Sequence, residues 1–405
     1  MLCRKVSLLA LNLREFSLKF YIKGWNTVKI ARHRAAAGLA LSLSLVLAAC
    51  SNGGSDSETN GATDSPSASD STSADKTGSG SLSGTINGSG ASSQVNAQQA
   101  WRDNFTANTG AIVNYDATGS GTGREQFIAG KVDYAGTDSA LKEEELTAAT
   151  ERCGGESPIE VPLYISPIAI AFNLDGIDSV NMSADVIAKI FKQEITKWND
   201  PAIASLNEGV ELPDMPIIPV NRADDSGTSK NFQQYLVESS GEWDFKPEDT
   251  WPITGTQSAE KTSGVVNLVS STPGAITYAD ASQIGDLGTV AVEVAGEFLA
   301  YSPEAAAAIV DNSAPASNAT DRILTVDLKR DGTVAGAYPV VLVSYLVACT
   351  QYDNADTANI VKEYFTYMAS KEGQDVAAKA NGGNAPISDA LREQVMAAVD
   401  QIKTN

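Results

Sequence analysis

Histidine is almost absent from this chain of 405 residues. The single histidine, His33, lies in a basic segment near the N-terminus, and none follows it. Histidine is the commonest general base and the commonest metal ligand in proteins. Its absence from the rest of the chain argues against imidazole-dependent catalysis. We therefore expect no enzyme activity, no metal and no cofactor.

Basic side chains are also scarce. Residues 1–49 contain eight of the 29 Lys and Arg but only one of the 50 Asp and Glu, so the chain from residue 50 onward has a formal net charge of −28. Nucleic-acid binding requires basic patches, which excludes nucleic acid as a partner. If the ligand is an anion, backbone N–H groups and a few placed donors must hold it, because the net charge repels it.

The chain has four cysteines, at positions 3, 50, 153 and 349. Cys3 and Cys50 fall in the N-terminal segment, which leaves Cys153 and Cys349 in the folded part. In an oxidising compartment an even pair favours a disulfide. The alternative is two buried thiols.

The N-terminal segment has the pattern of a secretory signal. A basic cluster precedes the apolar stretch Ala35–Ala49, which is too short for a membrane span. Leu47-Ala48-Ala49-Cys50 resembles the lipobox of bacterial lipoproteins, in which the cysteine is acylated, so Cys50 is the predicted lipidation site. The alternative is an ordinary cleaved signal. Residues 1–27 precede a complete signal, and we expect translation to start downstream of them.

Residues 51–81 contain no Val, Leu, Ile or aromatic side chain. Such a segment cannot bury enough apolar surface to fold, and it is typical of a flexible tether. From Leu82 onward, apolar strands alternate with helical stretches, which indicates an α/β fold. Two long apolar stretches, 159–173 and 338–348, are candidates for crossings between two lobes.

Three loops rich in glycine and hydroxyls each lie between a predicted strand and a predicted helix. Such loops present unpaired N–H groups and a hydroxyl at the positive end of a helix dipole, which makes each a candidate anion site. None contains the lysine pattern of a nucleotide-binding loop, which favours a small free oxyanion. The loops are Gly88–Ser93, Thr118–Gly123 and Arg222–Ser229.

Five segments resemble the phosphate-binding proteins of the bacterial Pst importer. The segments are VNRADDSGTS at 220–229, ITKWNDPAIASLN at 195–207, NYDATGSGTG at 114–123, VDYAGTD at 132–138 and TPGAITY at 272–278. The resemblance extends from Leu82 nearly to the C-terminus. It implies a type II periplasmic-binding-protein fold, in which mixed sheets flanked by helices form two lobes and phosphate lies in the cleft between them.

The resemblance also implies the organisation of the chain. Residues 1–49 are the expected signal and 50–81 the lipidated cysteine and tether. The first lobe is discontinuous, with 82–165 and 340–405, and the second is 166–339. A monomer anchored to the outer face of the cell membrane would deliver phosphate to the permease subunits of an ABC importer. A Cys153–Cys349 disulfide would join the two parts of the first lobe.

The same resemblance assigns roles to single residues. Arg222 is the expected charged donor, Asp224 its supporting carboxylate, and Asp138 the acceptor for a phosphate proton. The remaining predicted ligands are Ser92, Ser93, Ser120, Ser226, Gly227 and Thr228. The family usually has Thr-Phe where this chain has Ser92-Ser93, so only the backbone N–H of Ser93 carries over. Asp225 replaces a common glycine and should weaken anion binding unless it faces solvent.

Three other functions stay open. The binding fold could serve sulfate, molybdate or another oxyanion, or the lobes could belong to a surface sensor or adhesin. A phosphatase-type hydrolase has one sequence feature in its favour, because Asp138-Ser139-Ala140 resembles the nucleophile segment of alkaline phosphatases. Such chemistry needs a metal pair or an adjacent base, and the lack of histidine disfavours both.

Overall fold

The computed structural model describes residues 82–380 and 384–404, so the predicted signal, Cys50 and the tether lie outside the described residues. The helices are α1 Val95–Thr109, α2 Ser120–Ile128, α3 Glu143–Arg152, α4 Ala184–Phe191, α5 Pro201–Ala204, α6 Gly227–Ser239, α7 Lys261–Ser270, α8 Pro303–Asp311, α9 Ala355–Ala369, α10 Lys371–Lys379 and α11 Asp389–Val399. The strands are β1 Thr85–Gly90, β2 Ile112–Asp116, β3 Tyr134–Thr137, β4 Ile159–Phe172, β5 Ser179–Met182, β6 Ile218–Arg222, β7 Gln257–Ala259, β8 Ala275–Asp280, β9 Gly288–Val294, β10 Glu297–Leu299, β11 Ala314–Pro315, β12 Val326–Asp327, β13 Val341–Ala348, β14 Gln351–Tyr352 and β15 Lys403–Thr404.

One mixed sheet runs through the described chain in the order β2-β1-β3-β13-β4-β8-β6-β7, and β9 connects β5 and β10 to β4. β1 is parallel to β2 and β3, and β6 is parallel to β7 and β8. β13 is antiparallel to both β3 and β4. The parallel groups follow the strand–helix alternation expected from the sequence.

The two long apolar stretches form β4 and β13, which are buried along their whole length. β4 changes partner midway: Ile159–Pro167 pairs with β13, and Ile168–Phe172 pairs with β8. We call the strands on the β13 side of this change, β1, β2, β3 and β13, the first half of the sheet. The strands on the other side, β5 to β10, are the second half.

One helix boundary differs from the sequence prediction. The sequence predicted a loop through Gly123 and a helix from Arg124, whereas α2 begins at Ser120. The glycines allow this early start because a Cβ on Gly123 would lie 2.3 Å from the Cα of Gly90, and a Cβ on Gly121 2.6 Å from the Cβ of Asp225. The helix can therefore approach both loops closely.

The predicted disulfide between Cys153 and Cys349 is confirmed, with Cα atoms 5.3 Å apart. It follows α3 on one side and β13 on the other, so it joins segments separated by 196 positions. A long crosslinked loop lowers the entropy of the unfolded chain. Within residues 82–380 and 384–404, no helix has the length and apolar character needed to cross a membrane.

Candidate functional site

The three Gly- and Ser-rich loops each lead into a helix N-terminus, as the sequence predicted. Ser92–Gln94 form a 3-10 turn that continues into α1, Ser120 opens α2, and Gly227 opens α6. Ser226 is the N-cap of α6, and its Oγ accepts a hydrogen bond from the N–H of Ser229. Such termini leave backbone donors available to an anion.

Asp138 lies where these loops meet, one residue after β3, and is only 3% exposed. Its carboxylate accepts hydrogen bonds from three hydroxyls: Ser93 at 2.7 Å, Thr228 at 2.9 Å and Ser344 at 2.6 Å. Its backbone N–H donates to Ser120 Oγ at 3.1 Å. The cluster therefore draws on all three loops and on β13.

The protonation of Asp138 depends on opposing effects. Burial raises the pKa of its carboxyl group, because a charge in a dry environment is costly. The hydrogen bonds from Ser344, Ser93 and Thr228 and the charge of Arg222 all act to lower that pKa. The surrounding donors thus offset part of the cost of keeping this carboxylate charged.

Gly227 permits the close contact between the two halves. A Cβ at this position would lie 2.7 Å from the Cβ of Asp138 and 2.8 Å from Ser120 Oγ. Any larger residue would push the N-terminus of α6 away from the loops that follow β2 and β3. Glycine is required here for space, which the motif alone did not explain.

Arg222 ends β6 and is buried, with Nε 2.7 Å from Asp224 Oδ1. Asp224 also accepts from the N–H of Lys261 at 3.0 Å. Burial would raise the pKa of Asp224, but the hydrogen bond and charge of Arg222 outweigh it, and the pKa is lowered. The carboxylate thus holds the guanidinium in place, while Asp225, the next residue, is exposed.

Ser92 is engaged elsewhere. Its Oγ accepts from the N–H of Thr262 at 3.0 Å and lies 3.1 Å from the Thr262 hydroxyl, at the start of α7. Gln283 Nε2 donates to the carbonyls of Ser92 and Ser93, at 2.9 Å each. The structure therefore brings Ser93, but not the hydroxyl of Ser92, to the carboxylate of Asp138.

Sequence reasoning missed two residues of the cluster. Ser344 lies inside β13, where a hydroxyl in an otherwise apolar run was the available signal. Asn231 lies one turn into α6 and donates through Nδ2 to the carbonyls of Asp138 at 2.6 Å and Gly227 at 2.9 Å. No local pattern marks Asn231, because its partners come from both halves of the sheet.

Comparisons with known proteins give first the class and then the family. A family model described as a PBP superfamily domain matches residues 75–372. The phosphate-binding protein PstS 3 of Mycobacterium leprae is 33% identical over 325 residues, which cover 78% of this chain and 87% of that protein. PstS 3 of Mycobacterium tuberculosis is 31% identical over 382 residues, covering 93% of this chain and all of that protein. The chain belongs to the PstS family of phosphate-binding proteins within this superfamily.

Two solved structures share the fold. The phosphate-bound periplasmic phosphate-binding protein PfluDING superposes with a TM-score of 0.61 at 21% identity, covering 77% of this chain and 92% of that chain. A substrate-binding protein with bound phosphate from Clostridium perfringens gives 0.53 at 22% identity, covering 73% and 98%. The expected type II periplasmic-binding-protein fold is confirmed.

Proposed function

We propose that this chain captures inorganic phosphate outside the cytoplasmic membrane and delivers it to the permease subunits of an ABC importer. The observation that carries the proposal is Asp138, a buried carboxylate at the junction of three helix N-termini. Membership of a family of phosphate-binding proteins supports the same ligand. Because the strong net negative charge of the chain repels an anion, binding depends on hydrogen-bond donors at the site itself.

Asp138 recognises phosphate by accepting a hydrogen bond from the proton that phosphate carries at neutral pH. An ionised carboxylate only accepts hydrogen bonds, so the P–OH group of HPO₄²⁻ is a suitable partner and sulfate, which has no proton, is not. The proton of the ligand can replace Thr228 at the carboxylate and leave the Thr228 hydroxyl to bind a phosphate oxygen. Sulfate would instead place an oxygen lone pair against the carboxylate.

The other predicted ligands supply positive charge and N–H groups. Arg222 neutralises part of the ligand charge, and Asp224 keeps its guanidinium oriented. Ser93, Ser120, Gly227 and Thr228 offer the donors of the helix N-termini to the remaining phosphate oxygens, and Ser226 offers its hydroxyl, because its N–H donates to the Asp249 carbonyl at 2.9 Å. A role for Ser92 in ligand binding stays a prediction, since Thr262 engages its hydroxyl.

Ligand binding closes two lobes around phosphate, because donors come from both halves of the sheet. We assign 82–165 and 340–405 to the first lobe and 166–339 to the second. The protein acts as a monomer held at the outer face of the membrane by lipid on Cys50, with 51–81 as the tether. Small-angle scattering with and without phosphate tests closure, and release of a Cys50→Ala variant into the medium tests the anchor.

Titration calorimetry of the purified protein with phosphate, sulfate and molybdate tests the function. We expect one phosphate per chain and no comparable heat from sulfate. Stronger binding of sulfate or molybdate would favour the other-oxyanion alternative. A phosphomonoester assay tests hydrolysis, which we do not expect because Arg124 pairs with Asp249, the carboxylate that accepts from the Ser139 hydroxyl, and so makes it a poor base.

A further inference from the structure

A buried chain of hydrogen bonds ends at Asp138. The hydroxyl of Tyr364 donates to Gln98 Oε1 at 3.0 Å, and Gln98 Nε2 donates to Gln94 Oε1 at 2.9 Å. Gln94 Nε2 donates to Ser344 Oγ at 2.6 Å, and Ser344 Oγ donates to Asp138 Oδ1 at 2.6 Å. All five side chains are buried, so water does not compete for these bonds.

The direction of every bond follows from the chemistry of the groups. Ser344 has a single hydroxyl proton, and a carboxylate can only accept, so that proton points to Asp138. Ser344 Oγ must then accept from an N–H of Gln94, which turns the Gln94 oxygen towards Gln98. Gln98 must in turn present its own N–H. The carboxylate and the two amides therefore fix one another's orientation.

The packing around Gln94 is consistent with a specific role. Gly136 has no left-handed backbone angle that would call for glycine. A Cβ at Gly136 would lie 2.9 Å from Gln94 Nε2 and 2.5 Å from the Tyr115 hydroxyl. The space next to β3 is thus reserved for the Gln94 amide and for Tyr115.

The two oxygens of Asp138 are unequal as a result. Among the residues that the structure describes, Oδ1 accepts from both Ser93 and Ser344, whereas Oδ2 accepts from Thr228 alone. An additional donor is therefore accommodated at Oδ2, where its proton can displace one hydroxyl without disturbing the buried chain.

We propose that Gln98, Gln94 and Ser344 are positioning residues. They keep Asp138 Oδ1 hydrogen-bonded within the protein, so that Oδ2 is left to receive the proton of the ligand. They thereby help to set the preference for a protonated oxyanion over an unprotonated one. The inference rests on the proposed function. It assigns selectivity to three side chains that we do not place in contact with phosphate.

Other ionisable groups act on Asp138 and bear on any pH experiment. The charge of Arg222, at the end of β6, lowers the pKa of Asp138. Asp138 in turn contributes to the raised pKa of Asp280 at the end of β8 and of Tyr115 on β2. Lys230 on α6 lines the same cavity of about 110 Å³ as Asp138. These groups are common to all variants below; Gln94→Glu adds a further acid, whereas Ser344→Ala adds none and reports the chain of hydrogen bonds alone.

Titration with sulfate distinguishes a loss of the positioning of Asp138 from a general loss of packing. Sulfate carries no proton between pH 5 and 8, so it gains a donor from Asp138 only when the carboxyl group is protonated. Direct titration with sulfate in phosphate-free buffer across this range gives the pH below which sulfate binds. That onset reports the protonation of Asp138, whereas a general loss of packing lowers phosphate affinity at every pH.

Ser344→Ala removes one donor from Oδ1, and Gln94→Glu replaces the N–H that orients Ser344 with an acceptor. We expect both variants to move the sulfate onset upward by about one pH unit or more, because each weakens the stabilisation of the carboxylate. Ser344→Thr keeps the hydroxyl and should stay close to the wild-type onset. Thr277→Val is the matched control, since it removes a buried hydroxyl whose partner is the Val220 carbonyl.

The outcomes distinguish the inference from the function on which it rests. Phosphate binding with an unchanged sulfate onset in both Ser344→Ala and Gln94→Glu would overturn the positioning role alone. A wild type that binds no phosphate would overturn the proposed function and this inference with it. If Ser344→Ala does not fold, Ser344→Cys, which retains a weaker donor, should give a smaller upward shift, and no shift would overturn the role.

Discussion

Two buried charged clusters lie close together in this protein and are built differently. Around Asp138, the partners of the carboxylate are neutral hydroxyls. Around Arg124, which is 2% exposed, the partners include two carboxylates: Glu145 with both oxygens 3.0 Å from Nε, and Asp249 at 2.7 Å from Nη2.

The Arg124 cluster is balanced in the sense that each of its charged groups contacts a group of opposite charge, whereas the Asp138 carboxylate contacts hydroxyls. Thr137 and Ser139 add hydroxyl partners to Arg124 at 3.0 and 3.1 Å. The pKa of Asp249 is lowered despite its burial, mainly because Arg124 compensates its charge. The pKa of Asp138 is raised despite three donors. Burial of a charge therefore does not by itself mark a ligand site, because a buried carboxylate such as Asp249 can be compensated by a neighbouring cation.

Asp138→Asn should have the largest effect, because it removes the unbalanced charge. A site that leaves buried polar groups unpaired can reject an analogue by about 10⁴–10⁵-fold. We expect the wild type to ignore millimolar sulfate and the variant to lose much of this discrimination, since the amide offers a donor. Competition of sulfate against labelled phosphate measures the discrimination of the wild type and of the variant. Unchanged discrimination would show that another group recognises the proton of the ligand.

Arg222→Ala should weaken phosphate binding by roughly 2–5 kcal/mol, because it removes the buried guanidinium that neutralises part of the phosphate charge. The fold should persist, since Asp224 keeps the N–H of Lys261 as a partner. Calorimetry measures the affinity, with Arg322→Ala as the control at a remote, partly exposed ion pair with Glu156. A loss below threefold would mean that the helix N-termini hold the anion almost alone.

Asp249→Asn should instead affect the balanced cluster. It leaves Arg124 with Glu145 as its only carboxylate and should lower the free energy of unfolding by roughly 1.5–3 kcal/mol. Discrimination against sulfate should stay as in the wild type. Denaturant unfolding and sulfate competition on the same preparation separate the two properties. Reduced discrimination with unchanged stability would contradict the division between the clusters.

Glu160 is an intermediate case, and its expected effect appears only as a change of stability with pH. Burial raises the pKa of this carboxyl group to about 7, while the N–H of Leu141 and the charge of Arg124 oppose the rise. An acid with a raised folded-state pKa loses stability as pH rises from its unfolded value near 4.5 towards 7. Glu160→Gln should therefore gain stability relative to wild type over that window, by at most about 1.4 kcal/mol per pH unit. Thermal unfolding at several pH values measures the slope, and a flat difference would show that Glu160 stays ionised.

Local sequence predicted much of this architecture. The apolar runs gave β4 and β13, and the third Gly-Ser loop gave the helix N-terminus at Gly227, whereas α2 begins at Ser120 and not at the predicted Arg124. The cysteine count gave the disulfide. Each of these follows from residues close in sequence or from composition.

The contacts around the candidate site could not be predicted in the same way. Gln94 and Ser344 lie 250 positions apart, and Arg124 and Asp249 lie 125 apart. Their bonds exist only because β13 lies between β3 and β4 and because α6 packs against the loop after β3. Hydroxyl and amide side chains are common in every segment, so no local signal selects the pairs that meet.

The position of β13 also matters for how the protein is made. β13 separates β3 from β4 in the sheet, yet about 170 residues lie between β4 and β13 along the chain. A chain that emerges N-terminus first must leave the edge of β3 and the edge of Ile159–Pro167 that face β13 unpaired until residues 341–348 arrive. Unpaired strand edges recruit other chains. Truncation before β13 should therefore yield aggregated product.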